Sequence, residues 1–462
     1  TFALFKMGAI PVLIDPGMGI KNLLHSIKQV RPEALVSIGK VHWIRRLFRA
    51  AFQSVKIKVS LDPVGGRTHD LYKKLEDFDK NFEAVSVLPD DPSAILFTSG
   101  GTGIPKGVLY THGIMNAQTE ALQKMFSLSE KETDLPGFPL FALFTLAMGM
   151  TSVIPDMDPT KPAQCDPKKL VHNILKYQVT FVAGSPAIWE RVGRFCLKNN
   201  IQLPCVKFVV MFGAPVQLEI HRMFKKILTT GDTYTPYGAT ECLPVSLISG
   251  SEVLNSKSEQ GFGTCVGRAV PGVEIKIINV SDIPKNVLNE LGKNTRGEIV
   301  VSGTQVTPLY FDMPNETAKA KILDKGVLWH RMGDLGYLDQ ENRLWFLGRK
   351  SHLVQTEKDL FYPLEVEAPF NRHPLISRVA LVKLNSQNEI RPGLVIERFD
   401  GETRGTEEFF HEVRDLSLKG SASENIHDYF LHPGFPVDVR HNIKVDQLKL
   451  GSWASKRKGF HV

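Results

Sequence analysis

The segment Thr98-Ser99-Gly100-Gly101-Thr102-Gly103-Ile104-Pro105-Lys106-Gly107 is the strongest concentration of residues that could do chemistry in this chain. It follows the strand-like run Ala94-Ile95-Leu96-Phe97. Its glycines let backbone N–H groups converge on phosphate oxygens, its hydroxyls add further donors, and Lys106 adds positive charge. It is not the Walker pattern, because Lys106 follows Pro105 and Gly107 stands where that motif needs Ser or Thr. A plain Gly-rich turn is the structural alternative, and so long a run of phosphate-compatible residues weighs against it. Other candidate positions carry little signal alone. Thr240-Glu241 would read as a helix cap and a solvated charge, and Asp334 as a turn aspartate.

These residues need a scaffold, and the chain is long enough to supply one. At 462 residues it exceeds what one small core requires, and 42% hydrophobic with 23% charged residues is the composition of a folded protein. Helical stretches alternate with β-branched runs at 34–38, 94–97, 179–183 and 206–211, the pattern of an α/β sheet. From 273 to 346 the runs become β-rich and are bounded by Gly, Asn and Asp turns, which predicts a β subdomain. Beyond Gly348-Arg349-Lys350 about a hundred residues mix strand-like 379–382 with helical 406–416. The expected architecture is therefore α/β: a large domain over 1–347, a hinge at 348–352 and a small α+β domain over 353–462. The first residues read as the end of an apolar helix, a Gly turn and a strand, so the large domain is expected to begin upstream of Thr1.

The net charge of +7 is scattered except for Lys456-Arg457-Lys458, which reads as a solvated tail, and no nucleic-acid partner is expected. Five widely spaced cysteines with no CxxC pair fit a reducing cytoplasm and no structural zinc. The longest apolar candidate, 138–154, is interrupted by Pro139 and Gly149, so no integral membrane segment is expected.

The phosphate loop resembles the TSG[ST]TGxPKG hallmark of the superfamily of acyl-CoA synthetases, peptide-synthetase adenylation domains and luciferases, with Gly101 at the Ser/Thr position. Further segments follow in that family's order. Phe212-Gly213-Ala214-Pro215 resembles its adenine-pocket loop, and Tyr237-Gly238-Ala239-Thr240-Glu241 its YGxTE segment. Met332-Gly333-Asp334 and Gly348-Arg349 resemble its TGD and GR pair. The run from Phe435-Pro436 to Lys444-Val445-Asp446 stands where the family has PxTxSGKIxR, with His441-Asn442-Ile443 replacing the residues before the lysine. The resemblance implies that ATP is bound by Thr98, Ser99, Gly100, Gly101, Thr102, Gly103, Lys106, Gly213, Ala214, Pro215, Tyr237, Gly238, Thr240, Asp334 and Arg349. Tyr237 would stack on adenine, Asp334 would accept the ribose hydroxyls and Arg349 would reach ribose or phosphate. Glu241 would help hold Mg2+, Thr240 and Lys106 would contact phosphate, and Lys444 would bridge carboxylate and phosphate oxygens during adenylation. A cation at Lys444 would stabilise charge that develops only in the transition state.

The departures bear on the second step. Pro139-Leu140-Phe141-Ala142 lacks the histidine of the PLFH segment found in many acyl-CoA ligases, and residues 354–362, ahead of Pro363-Leu364-Glu365-Val366-Glu367, lack that family's paired glycines. With these departures, and with the segments 10–17, 238–245 and 435–441, nearly the whole chain resembles the olefin-biosynthesis β-lactone synthetases. That resemblance implies a long-chain 2-alkyl-3-hydroxy acid substrate whose own hydroxyl expels AMP and closes a four-membered lactone. It also implies membership of a multi-enzyme olefin assembly and, with no thiol to admit, a reduced swing at the hinge. The competing expectations are a long-chain fatty-acid ligase that makes a thioester and a non-catalytic nucleotide-binding scaffold. Phe141, Phe144, Met148 and 185–189 are candidates for an apolar acyl pocket, and His112 reads equally as a substrate contact or a structural residue.

Overall fold

The computed structural model describes residues 1–62, 69–70, 82–98, 104–255, 263–281, 287–386, 389–399, 401–402, 406–420, 422–436 and 445–461. The chain divides into two compact units, one formed by 1–117 with 304–321 and the other by 118–303 with 322–462. In the first unit β1 (Val12–Leu13), β2 (Ala34–Ser37), β3 (Ile57–Ser60), β4 (His69–Asp70), β5 (Pro92–Thr98) and β6 (Lys106–Thr111) make two three-stranded sheets, ordered β1-β5-β6 and β2-β3-β4. β5 and β6 run antiparallel, and Thr98 pairs with Lys106 at the end that carries the phosphate-loop sequence. Ala94, Val108, Tyr110, Ile114 and Tyr310 form the buried cluster beneath this pair.

The second unit is built on a twelve-stranded sheet. Its parallel half contains β7 (Thr133–Pro136), β8 (Thr151–Ser152), β9 (Phe181–Gly184), β10 (Phe208–Met211) and β11 (Asp232–Ala239). Strands covered on both faces read as continuous apolar runs, and Phe181-Val182-Ala183-Gly184 is buried throughout. One face packs Leu135, Val182, Val209 and Met211 against the helices Pro167–Lys176, Pro186–Lys198 and Leu218–Ile227. The opposite face carries Phe181, Ala183 and Val210 with Phe126, Leu128 and Met150. Local sequence sets where the helices start. Asp166 accepts from Lys168 N at 2.9 Å, Ser185 Oγ accepts from Ala187 N at 3.2 Å, and each cap is followed by a proline in the first turn.

The β-rich stretch comprises β12 (Cys242–Ser249), β13 (Thr264–Ala269), β14 (Val273–Ile278), β15 (Gly297–Gly303), β16 (Lys321–Asp324), β17 (Val327–Leu338) and β18 (Leu344–Arg349). It continues the same sheet in antiparallel fashion. The β subdomain predicted for 273–346 is these strands, and β12 and β13 join them edge to edge with the parallel half. A buried ionic group fixes the end of this layer: Arg331 donates to both oxygens of Glu298, at 3.1 and 2.6 Å, and Lys350 lies 3.4 Å from the same carboxylate.

The chain continues into β19 (Val354–Gln355), β20 (Leu360–Phe361) and a four-stranded sheet of β21 (Ile376–Ser386), β22 (Glu389–Arg398), β23 (Asp428–Leu431) and β24 (Phe460–His461). The helix Glu407–Lys419, capped by Thr406, buries Phe409, Phe410 and Val413 against the sheet. Under this layer Glu367 is buried, and one of its oxygens accepts from Leu381 N and from Gln447 Nε2, both at 2.9 Å. Burial pushes its carboxyl up to about 8. A carboxyl whose folded value lies above its unfolded one favours folding while protonated, so this contribution is full below about 4.5 and lost as pH rises towards 8. Glu367→Gln keeps the acceptor and removes the titration. Urea unfolding at about pH 5 and about pH 8 should therefore show a flatter decline for the variant, by up to about 1.4 kcal/mol per pH unit. Equal declines in the two proteins would contradict this.

Candidate active site

Antiparallel register across β17 and β18 sets Asp334 directly opposite Arg349. Asp334 is 3% exposed, and its Oδ1 lies 2.9 Å from the Arg349 guanidinium, whereas the arginine side chain is half exposed. Tyr237, on β11, donates its phenol to Asp334 Oδ2 at 2.7 Å, and its ring is tilted against Phe346 at 5.9 Å. Burial raises the Asp334 carboxyl above the ordinary carboxylate range, opposed by Arg349 and by the Tyr237 hydrogen bond. Burial and the neighbouring carboxylate push the Tyr237 phenol up, so it stays a donor. Glu241 is close enough for its charge to raise both Asp334 and Arg349.

Thr240 and Glu241 form the turn of the β11–β12 hairpin, closed by the Ala239–Cys242 pair. The short-range reading of a helix cap is thus replaced by a hairpin tip. A register shift between Tyr237 and Ala239 brings the strands so close that a Cβ on Gly238 would lie 2.7 Å from the Cys242 carbonyl oxygen. Only glycine fits this approach, which ties the turn's acidic residue to the strand that carries the tyrosine.

Phe212, Gly213, Ala214 and Pro215 leave the carboxyl end of β10, where open α/β sheets place their ligands. Gly213 has φ +90°, a conformation that L side chains rarely adopt. Phe212 stacks on Phe141 with centroids 4.1 Å apart, and Phe141 packs against Phe138 and Phe144. This aromatic group adjoins the candidate adenine loop. In the 185–189 run Ser185 caps its helix, Ala187 is half-buried, and Ile188 and Trp189 are fully buried core. Met148 packs on the opposite apolar cluster.

In the other unit, Lys106 opens β6 and its ammonium lies 3.0 Å from Glu316, on the helix Pro314–Ala320, and 5.0 Å above the Tyr310 ring. Lys106 and Lys319 hold the Glu316 carboxyl below its usual range. A phosphate drawn to Lys106 would therefore compete with Glu316, a partner that reads in the sequence only as a first-turn helix acid. His112 begins the helix His112–Phe126 and packs edge-on against Phe5. Ser99, Gly100, Gly101, Thr102, Gly103 and Lys444 lie outside the described residues.

The residues present suit Mg2+ bound with a nucleotide: the Glu241 carboxylate is a hard oxygen donor, and this ion takes one or two carboxylates together with substrate phosphates. Among the described residues no cluster of three or more His, Cys, Asp or Glu side chains forms an all-protein metal cage, and no helix is long and apolar enough to cross a membrane.

The AMP-binding enzyme family matches residues 1–311. The chain is 39% identical to the olefin beta-lactone synthetase of Xanthomonas campestris pv. campestris, over 99% of this chain and 84% of that relative. It is 38% identical to the olefin beta-lactone synthetase of Stenotrophomonas maltophilia, over 98% and 84%. Its fold is shared with O-succinylbenzoate coenzyme A synthetase from Bacillus subtilis, solved in complex with ATP and magnesium ion. That match has a TM-score of 0.74 and 20% identity, covering 97% of this chain and 86% of the other. With a family match over two thirds of its length and these near full-length relatives, the chain belongs to the AMP-binding enzymes and is an ATP-dependent, AMP-forming ligase.

Proposed function

We propose that this ligase converts a long-chain 2-alkyl-3-hydroxy acid into a β-lactone through an acyl-adenylate. A carboxylate oxygen attacks the α-phosphorus of ATP, forming the mixed anhydride and releasing pyrophosphate. The substrate's β-hydroxyl oxygen then attacks the acyl carbon; its proton passes to a base, the acyl C–O bond to phosphate breaks, and AMP departs with that oxygen. Both reacting groups lie in one molecule, so holding them in a near-attack geometry replaces recruitment of a second substrate.

Within this reading Asp334 accepts the ribose hydroxyls and Arg349 reaches ribose or phosphate, because both project from paired strands beside Tyr237. Tyr237 and the loop Gly213, Ala214 and Pro215 flank adenine. Gly238 holds the hairpin tip, from which Thr240 contacts phosphate and Glu241 would help hold a magnesium ion that would neutralise phosphate charge. Thr98, Ser99, Gly100, Gly101, Thr102, Gly103 and Lys106 bind phosphate oxygens of ATP, and Lys444 stabilises the charge that builds during adenylation. The hinge lies at 348–352, between a large domain of 1–347 and a small one of 353–462. The contact of Lys350 with Glu298 tethers the start of the hinge and supports a small swing.

The observation that carries the lactone reading is the 39% identity to an olefin beta-lactone synthetase over 99% of the chain. Ala142 in place of the PLFH histidine agrees with it. Mass spectrometry of products formed from ATP, magnesium and 2-hexyl-3-hydroxydecanoic acid, with and without coenzyme A, tests it. A β-lactone formed equally in both is expected. A thioester appearing only with coenzyme A would make the enzyme an acyl-CoA ligase, and no AMP in either would favour a scaffold.

A further inference from the structure

The short helix Ala142–Ala147 is inverted with respect to ordinary amphipathic packing. Its only buried residue is Thr145, at 3% exposure, while Leu146 is 44% exposed and Phe144 half-buried. Leucine and phenylalanine normally turn to the core and threonine to water, so something must hold the threonine in. That partner is Asp134 on β7, with no exposed surface: Thr145 Oγ1 donates to Asp134 Oδ2 at 2.7 Å. β7 directs alternate residues to opposite faces. Leu135 enters the cluster packed against Trp189, and Asp134 pairs with Phe181 of the opposite cluster, which also includes Phe212 and Met148. Asp134 Oδ1 is buried with no hydrogen-bond partner among the described residues. Burial raises the carboxyl to about 7, against the Thr145 hydrogen bond, so a substantial neutral fraction is present near neutrality.

The polar anchor determines where the aromatic side chains go. Phe141 immediately precedes the helix and stacks on Phe212 of the candidate adenine loop, and it contacts Phe138, which is 37% exposed. With Thr145 locked inward, Phe138, Phe141 and Phe144 form an aromatic group beside that loop, while Leu146 projects from the other side of the helix. An exposed apolar patch next to a nucleotide loop suits the alkyl part of an activated acid.

We infer that Asp134, acting through Thr145, is a positioning residue that sets the aromatic acyl-chain wall and hence the chain-length preference of the ligase. This rests on the acyl-activating reading above, and within it assigns a role to a carboxyl that touches neither substrate nor nucleotide. Without the bond, the helix has no polar anchor and rotates to bury Leu146, withdrawing Phe144 from the wall.

The test compares KM and kcat for 2-hexyl-3-hydroxydecanoic acid and 2-ethyl-3-hydroxyhexanoic acid at saturating ATP in Thr145→Val, Asp134→Leu, Asp134→Asn and Phe144→Ala, each checked for an unchanged melting temperature. Thr145→Val and Asp134→Leu are expected to raise KM for the longer acid by about tenfold, the scale of one pocket contact, with KM for ATP unchanged and the preference between acids flattened. Asp134→Asn, which keeps an acceptor for Thr145, should retain wild-type preference. If Phe144→Ala shifts the preference while folded Thr145→Val and folded Asp134→Leu both match wild type, the inference is overturned and the pocket reading stands. If Phe144→Ala is also silent, the wall is not in the acyl pocket, and both fail. Should Asp134→Leu not fold, Thr145→Val, which removes only the hydroxyl, decides.

Discussion

Lys444→Ala is expected to lower the rate of acid-dependent pyrophosphate release by about 10²–10³-fold, the scale of removing one charge-stabilising donor from a transition state. KM for ATP should change little, because the proposed ribose and adenine contacts lie elsewhere. The segment that carries this lysine is anchored on both sides. Phe435 N donates to Glu397 at 2.6 Å, Asp446 N donates to the Pro436 carbonyl at 2.9 Å, and Asp446 caps the helix Gln447–Ala454 by accepting from Lys449 N. Loss of one side chain between such anchors should leave the melting temperature within a few degrees of wild type. Lactonisation of chemically prepared acyl-adenylate should also be much less affected than adenylation, since the lysine's charge is needed as phosphate and carboxylate meet. A Lys444→Ala enzyme with undiminished pyrophosphate release would remove Lys444 from the mechanism.

Asp334→Ala is expected to reduce kcat/KM for ATP by about 10²–10⁴-fold, because the two proposed ribose hydrogen bonds to a charged acceptor would each be worth about 1.5–3 kcal/mol. The residue is buried between Tyr237 and Arg349, so its loss also leaves a phenol and a guanidinium without their shared partner. Asp334→Asn, which keeps one acceptor oxygen, should lose less. The sharper readout is discrimination against 2′-deoxy-ATP. Wild type should prefer ATP strongly, and Asp334→Ala should handle both nucleotides almost equally, since the group that reads the ribose is gone. If the variant discriminates as wild type does, Asp334 does not contact the ribose.

Much of the scaffold was legible because local pattern and tertiary demand agreed. The apolar runs at 179–183 and 206–211 became β9 and β10, buried on both faces, and the helical stretch read at 406–416 became the helix Glu407–Lys419, with Thr406 as its cap. The segments that place the chain in its family were legible through their order rather than through any one residue. Thr240-Glu241 shows the limit: its short-range signal is that of a helix cap, and only the glycine-dependent approach of β11 to β12 makes it a hairpin tip. Asp134 and Glu316 were not legible for a related reason. Each is one acid in an ordinary local setting, and its importance comes from a partner supplied by the fold, Thr145 in one case and Lys106 in the other. The 185–189 run shows the opposite limit, since apolar bulk near a loop looks the same in sequence whether it lines a pocket or fills the core. Ile188 and Trp189 fill the core.

The most direct measurement is the fate of oxygen-18 in a 2-hexyl-3-hydroxydecanoic acid labelled at both carboxyl oxygens, turned over with ATP and magnesium in the absence of coenzyme A. Attack of carboxylate on the α-phosphorus followed by internal attack of the hydroxyl leaves one labelled oxygen in AMP and one in the carbonyl of the β-lactone. That distribution is the predicted result; AMP free of label, or labelled AMP accompanied only by recovered hydroxy acid, would contradict the account.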